Sequence, residues 1–243
     1  MSKSPKDPRD IFPEIVDEYK GLYGSSLIGI IAYGSAVGKD YIPGKSDINL
    51  MVVLDDAGME ELDKSFDTVK KWRKKGVDVP LFLTEGYVNS SLDVFPIEYM
   101  NFQRNYELLF GKDVLANLSF DKEHVRLQCE REVKGKLLLL REAFLESQGR
   151  GDAMREVIGR SIVAFAAIFK ALLYLKDKPI PVGKRDIFKE TCETFDMDSE
   201  VFLKLLDVRE GRLKLSGDET LALYKDYLSQ VKQFSKLIDQ LGG

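Results

Sequence analysis

Ile28-Gly-Ile-Ile-Ala-Tyr-Gly-Ser-Ala-Val-Gly-Lys-Asp-Tyr-Ile-Pro-Gly-Lys-Ser-Asp-Ile-Asn-Leu-Met-Val-Val-Leu54 decides how the chain is read. An apolar, β-branched run over residues 27–33 predicts a buried strand, and residues 48–54 predict a second. Between them lies a Gly-Ser turn followed by a polar loop. A glycine directly after a buried strand lets the backbone turn sharply and approach a ligand closely. Successive N–H groups in such a turn form an anion-binding nest, and Ser35 adds a hydroxyl beside Gly34. Taken alone, Gly-Ser is better accounted for by a plain tight turn.

Asp47 and Asn49 occupy alternate positions of the second strand. They therefore point the same way, with Cα atoms about 7 Å apart. Oxygen ligands so placed converge on divalent metal, as phosphoryl-transfer sites require. Ile48 and Leu50 point the other way, into a core. A third ligand has to come from a neighbouring strand. Glu98 is the candidate, as the one acid in the apolar run Phe95-Pro-Ile-Glu-Tyr-Met100, with Asp93 its competitor at the run's entry. Turn capping for Asp47 and an edge-strand charge for Glu98 are the structural alternatives.

The two Gly-Lys pairs in the loop do not make a P-loop, which needs G-x-x-x-x-G-K-[ST] leading into a helix. Gly34 to Gly38 is one residue too short and Lys39 is followed by Asp40, while Gly44-Lys45-Ser46 leads into a strand and has Lys39 where the first glycine belongs.

Strand, Gly34-Ser35, eleven residues, then Asp47-x-Asn49 on a hydrophobic strand resembles the nucleotidyltransferase superfamily that includes polymerase β and the kanamycin-type enzymes. Gly34, Ser35 and Asp47 match its pattern one for one. Asn49 departs from it, standing where the family has a second acid. The resemblance implies a mixed-sheet nucleotidyltransferase-like domain and Mg²⁺-dependent in-line attack of an acceptor hydroxyl on the α-phosphate of an NTP. It also implies that Gly34 and Ser35 bind phosphates, with Asp47, Asn49 and Glu98 as metal ligands and catalytic residues. Asn keeps a carbonyl oxygen for Mg²⁺ but lacks the negative charge and bidentate reach of a carboxylate. A slowed enzyme and a catalytically inactive nucleotide-binding or protein-interaction module both remain open, and a purely structural domain is the third option.

The 243 residues are 44% hydrophobic and 31% charged, which argues against global disorder. A net charge of −4 argues against a surface devoted to extended nucleic acid. Cys129 and Cys192 are far apart, so neither a zinc site nor a disulfide framework is expected, as in a reduced, cytoplasmic protein. Residues 1–10 lack the apolar core of a signal peptide. The apolar stretch 161–169, flanked by Arg160 and Lys170, reads as too short to cross a bilayer. His124 stands alone, so a Ser-His-Asp triad cannot be assembled.

The chain divides by texture into a nucleotidyltransferase-like domain over 1–117 and a helical bundle over 118–243, an α+β arrangement. In the first half, helices are expected near 11–23 and 57–75, and a short one capped by Thr84. Strands are expected over 27–33, 48–54, 79–83 and 95–102, with 106–110 as a further extension of the sheet. In the second half, helical periodicity predicts 121–147, 152–176, 184–195, 198–209 and 218–240. The basic run Lys70 to Lys75 falls where cations complement a helix end. Lys134, Lys136 and Arg141 are expected on a solvated face or, alternatively, reaching a triphosphate between the domains, where the acceptor would also sit. A homodimer is left open.

Overall fold

The protein's structure, a computed structural model, describes residues 4–38 and 41–242. The expectations that rest on Lys39, Asp40 and the first three residues lie outside the described residues. The chain forms two compact units, Met1–Ser119 and Phe120–Gly243. The first is a mixed sheet with helices, the second all-helical.

In the first unit, helix α1 (Phe12–Tyr23) tolerates Pro13 because the residue sits in its first turn, and Gly24 ends it at φ +52°. Strand β1 (Leu27–Tyr33) pairs antiparallel with β2 (Asn49–Leu54) and with β4 (Tyr106–Gly111), while β3 (Leu81–Leu83) runs parallel to β2. The sheet order is β3-β2-β1-β4. Strand alternation separates two faces. Ile30, Ala32, Leu50 and Val52 join Ile15 and Tyr19 of α1 in one core. Tyr33 and Asn49 fall on the opposite face, paired in register. There the Tyr33 ring meets Phe102 edge-on at 4.7 Å.

The fourth predicted strand is a correction. Residues 95–102 are not extended; helix α5 occupies Pro96–Arg104. Proline suits the first turn of a helix, and Ile97, Met100 and Tyr99 are buried at helical rather than alternating spacing. Asn101 Nδ2 donates to the Ile97 carbonyl 2.7 Å away, across one helical turn. The expected extension at 106–110 is instead the fourth strand. The single helix expected over 57–75 is broken into α2 (Asp56–Met59), a 3-10 turn at Leu62–Ser65, and α3 (Phe66–Arg73). Asp55 caps α2 by accepting from Gly58 N–H at 2.8 Å. Thr84 caps α4 (Glu85–Ser90) as expected.

The second unit contains α6 (Lys122–Ser147), α7 (Gly151–Leu175), α8 (Lys184–Thr194), α9 (Ser199–Arg209) and α10 (Gly217–Asp239). Phe165 and Phe169 of α7 meet Phe202 of α9 and Tyr227 and Phe234 of α10 in one aromatic core. Contrary to the short apolar stretch expected there, α7 is long and apolar enough, by length and composition, to cross a membrane. Half of its most apolar window is buried inside the protein, where it forms the centre of this core.

Candidate functional site

The Gly34 turn is held by one residue, Asn105, which lies between α5 and β4. Gly34 N–H donates to the Asn105 carbonyl at 3.0 Å, and Asn105 Nδ2 donates back to the Gly34 carbonyl at 2.6 Å. Gly34 sits at φ +76°, a conformation that favours glycine. The chain then makes a single 3-10 turn over Gly34–Val37, closed by Gly38 N–H on the Ser35 carbonyl at 3.1 Å. A Cβ on Gly38 would lie 2.9 Å from Asn105 Nδ2, so a side chain there would push the Asn105 amide aside.

Asn49 faces this turn. It pairs with Tyr33, and its Nδ2 lies 3.5 Å from where a Gly34 Cβ would stand. Asp47 is exposed and stands two residues before Asn49, just ahead of the strand; extended backbone there would put it on Asn49's side. The loop before it is closed by Lys45 and Ser46 N–H groups on the Ile42 carbonyl, at 3.0 and 2.9 Å. Gly34 and Asn49 thus stand close together at the paired ends of β1 and β2.

Glu98 does not come from a strand. It is exposed on α5, and Asp93 is exposed in the turn before that helix, so the strand on which Glu98 was expected as the one acid of an apolar run is not there. The acid beside Asn49 is another residue, Asp78. Ile48 N–H donates to the Gly76 carbonyl at 3.0 Å, and Asp78 N–H donates to the Ile48 carbonyl at 2.9 Å. Val77 forms a parallel bridge with Ile48. Asp78 therefore lies beside Asn49 on the same face, one strand spacing (about 4.8 Å) away. Its charge is felt there: the Tyr33 phenol is pushed above its ordinary pKa, first by burial and then by Asp78. The signal in the sequence was the alternation Val77-Asp78-Val79 directly after Gly76. Beginning the strand at Val79 hid it, because Pro80 interrupts the ladder and the regular strand resumes at Leu81.

Asp47, Asn49 and Asp78 provide hard oxygen donors of the type Mg²⁺ takes. Among the described residues no group of three or more His, Cys, Asp or Glu could hold a metal ion. The donor set at this face is two carboxylates and an amide. Away from it, Lys71 and Lys75 of the basic run pair with Glu14 and lie over the Trp72 ring. Lys134 pairs with Glu130 and Asp239, and Lys136 with Glu132. Cys129 and Cys192 are free, buried thiols; burial pushes the Cys192 thiol up to about 12, so neither is poised as a nucleophile.

No protein-family profile matches the chain, and no curated protein matches it. Among solved structures it is similar to the spectinomycin adenyltransferase AAD(9) from Enterococcus faecialis, determined with ATP and spectinomycin. The identity is 13% and the TM-score 0.49, over 90% of this chain and 99% of that one.

Proposed function

We propose that this protein is nucleotidyltransferase-like: it binds Mg-NTP at the paired ends of β1 and β2 and transfers a nucleoside monophosphate to a hydroxyl of a small molecule or protein. The observation that carries this is the placement of the Asn49 amide against the Gly34 turn; the Ile48–Val77 pairing and extended geometry support setting Asp78 and Asp47 on the same side. Ser35 binds phosphate oxygens through its backbone N–H and hydroxyl, and Gly34, whose own N–H is taken by Asn105, contributes the turn that lets a phosphate approach the backbone. Asn105 keeps that turn in its binding shape. Asp47, Asn49 and Asp78 would hold the metal, with Asp78 in the role first given to Glu98. When bound, the ion neutralises phosphate charge and polarises the α-phosphate. The acceptor oxygen forms a bond to the α-phosphorus, the bond to the β-phosphate oxygen breaks, pyrophosphate leaves, and the hydroxyl proton passes to solvent or base.

Asn49 favours a second reading beside the first, an inactive nucleotide-binding or protein-interaction module. Two carboxylates and an amide hold less negative charge than three carboxylates. A deficit of a few kcal/mol at the transition state slows transfer by orders of magnitude, roughly tenfold per 1.4 kcal/mol. Isothermal calorimetry with ATP and Mg²⁺ tests what the two readings share. Metal-dependent binding is expected in the natural protein and is lost in Asp47→Ala. Absence of NTP binding, in the natural protein and in Asn49→Asp alike, would reduce the motif to a scaffold. Rapid adenylyl transfer by the natural protein would show instead that Asn49 is no handicap.

A further inference from the structure

Helix α6 is apolar on two opposite sides. Val125, Cys129, Val133, Leu137 and Leu140 are buried. On the other side Leu127, Leu138 and Leu145 are 48%, 59% and 74% exposed. Spacings of eleven and seven residues at about 100° per residue bring these three leucines to within about 20° of one line. Leu139, 64% exposed, stands about 100° off that line and borders a separate groove with Ala143, Val157 and Ala164. Single exposed leucines are ordinary on a soluble surface; a row of them opposite the core marks a contact surface.

The charges and gaps along the row indicate what covers it. Arg131, Glu142 and Gly135 flank the row on one side, about 40°, 60° and 80° round the helix from Leu127, and Lys134 lies about 20° to the other side, all exposed. Among the described residues Glu142 has no ion pair, and Arg131 reaches its chain neighbour Glu132 at 3.9 Å. A Cβ on Gly135 would meet nothing within 4 Å, so the helix surface is open at that point.

We propose that this row binds a second copy of the same chain, α6 packed antiparallel on α6 about a two-fold axis between residues 136 and 137. That register is self-complementary. Leu127 comes level with the partner's Glu146 and packs beside the partner's Leu145, about 1.5 Å out of register, Leu138 covers the partner's Gly135, and Arg131 faces the partner's Glu142. Each contact occurs twice, as an isologous interface requires. Parallel packing would set Arg131 on Arg131 and Lys134 on Lys134, and the like charges oppose it. From Leu127 to Leu145 the row is about 27 Å long. One helix per copy makes a small interface, so a weak, reversible dimer is expected, with a dissociation constant on the order of micromolar. The dimer is independent of the nucleotide reading.

Sedimentation velocity on the full chain, from about 1 to about 200 µM, tests this. The natural protein should shift from monomer to dimer across that range. Leu138→Glu should remain monomeric with an unchanged helical circular dichroism signal, and Leu145→Lys should do the same should the first variant lose that signal. Arg131→Glu should raise the dissociation constant at least about tenfold by placing two acids together, and Arg131→Glu/Glu142→Arg should return it to within a few-fold of the natural value. A natural protein that stays monomeric throughout overturns the proposal. So does a dimer indifferent to the folded leucine variants, or a double variant no better than Arg131→Glu alone.

Discussion

Replacing Asn49 by aspartate keeps the side chain's volume and adds one charge to the face on which we propose that Asp47 and Asp78 also lie. Strand geometry sets the new charge about 5 Å from Asp78 and about 7 Å from Asp47. In a water-like medium, suited to these two exposed carboxylates, the repulsions are about 0.8 and about 0.6 kcal/mol. The metal-free variant is therefore expected to lose roughly 1.4 kcal/mol at low salt and about half of that at 0.15 M, where the screening length is about 8 Å. For a unit of this size the low-salt loss lowers Tm by about 5 °C. Magnesium should reverse it. At ten times its dissociation constant a cation that binds the folded form alone contributes about 1.4 kcal/mol, enough to restore the natural Tm. Thermal unfolding followed by circular dichroism, with EDTA or Mg²⁺ and at two salt concentrations, measures each of these shifts without any assay of transfer. If the metal-free variant melts with the natural protein and Mg²⁺ stabilises the two equally, residues 47, 49 and 78 do not share a face.

Asn105→Ala removes the donor to the Gly34 carbonyl; a loss of about 1 kcal/mol in urea unfolding is expected, together with a drop in NTP affinity that Asn101→Ala does not reproduce. Gly111→Ala should cost about 3 kcal/mol or more, because Gly111 is at φ +73° and the new Cβ would lie 2.1 Å from the Ile28 carbonyl oxygen; chemical denaturation reads this directly. The Tyr33 phenol is raised, so the folded state holds its proton where the unfolded state has lost it. Its contribution to stability is present in full up to the unfolded pKa near 10 and changes above it: as pH rises from there toward the folded pKa, the unfolded state is favoured and stability falls. Ultraviolet titration should show Asp78→Asn moving this tyrosine's transition to lower pH, since the substitution removes one of the two causes that raise it, while Glu98→Gln leaves it in place.

Sequence and structure agree best where the period is long and the caps are explicit. The five helices of the second unit end within one residue of the sequence expectation, and Asp121, Asp198 and Ser216 accept from first-turn N–H groups as caps should. Strand β1 was legible for a related reason, a run of seven residues closed by Gly34. Short segments were harder. Over 95–102 the apolar run read as a strand, yet the same residues bury Ile97 and Met100 one helical turn apart. Tertiary packing, expressed in the Phe102 contact with Tyr33, decided a segment whose local preferences were balanced. The position of Asp78 was hidden for another reason: its place depends on the parallel pairing of Val77 with Ile48, twenty-nine residues apart, that no local pattern encodes.

That pairing changes what Asn49 means. With Glu98 as the third ligand, the face would have been two acids and an amide drawn from residues far apart on separate strands. With Asp78 the count is the same, but the second acid lies one strand spacing from the amide rather than at an unspecified distance. A cation on the Asn49 carbonyl would then be about as close to Asp78 as two neighbouring strands allow, and Asp47 would be about 7 Å along the chain from Asn49. The amide nitrogen meanwhile faces the Gly34 turn, where phosphate would lie. An aspartate there would present negative charge to that phosphate as well as to metal, and the natural asparagine presents a donor instead. The substitution thus trades strength of metal binding for tolerance of phosphate without metal. Residual nucleotide affinity in EDTA should therefore be higher in the natural protein than in Asn49→Asp, while with Mg²⁺ the order should invert. Calorimetric titration of both proteins in both buffers settles it, and the same order in both would refute the trade.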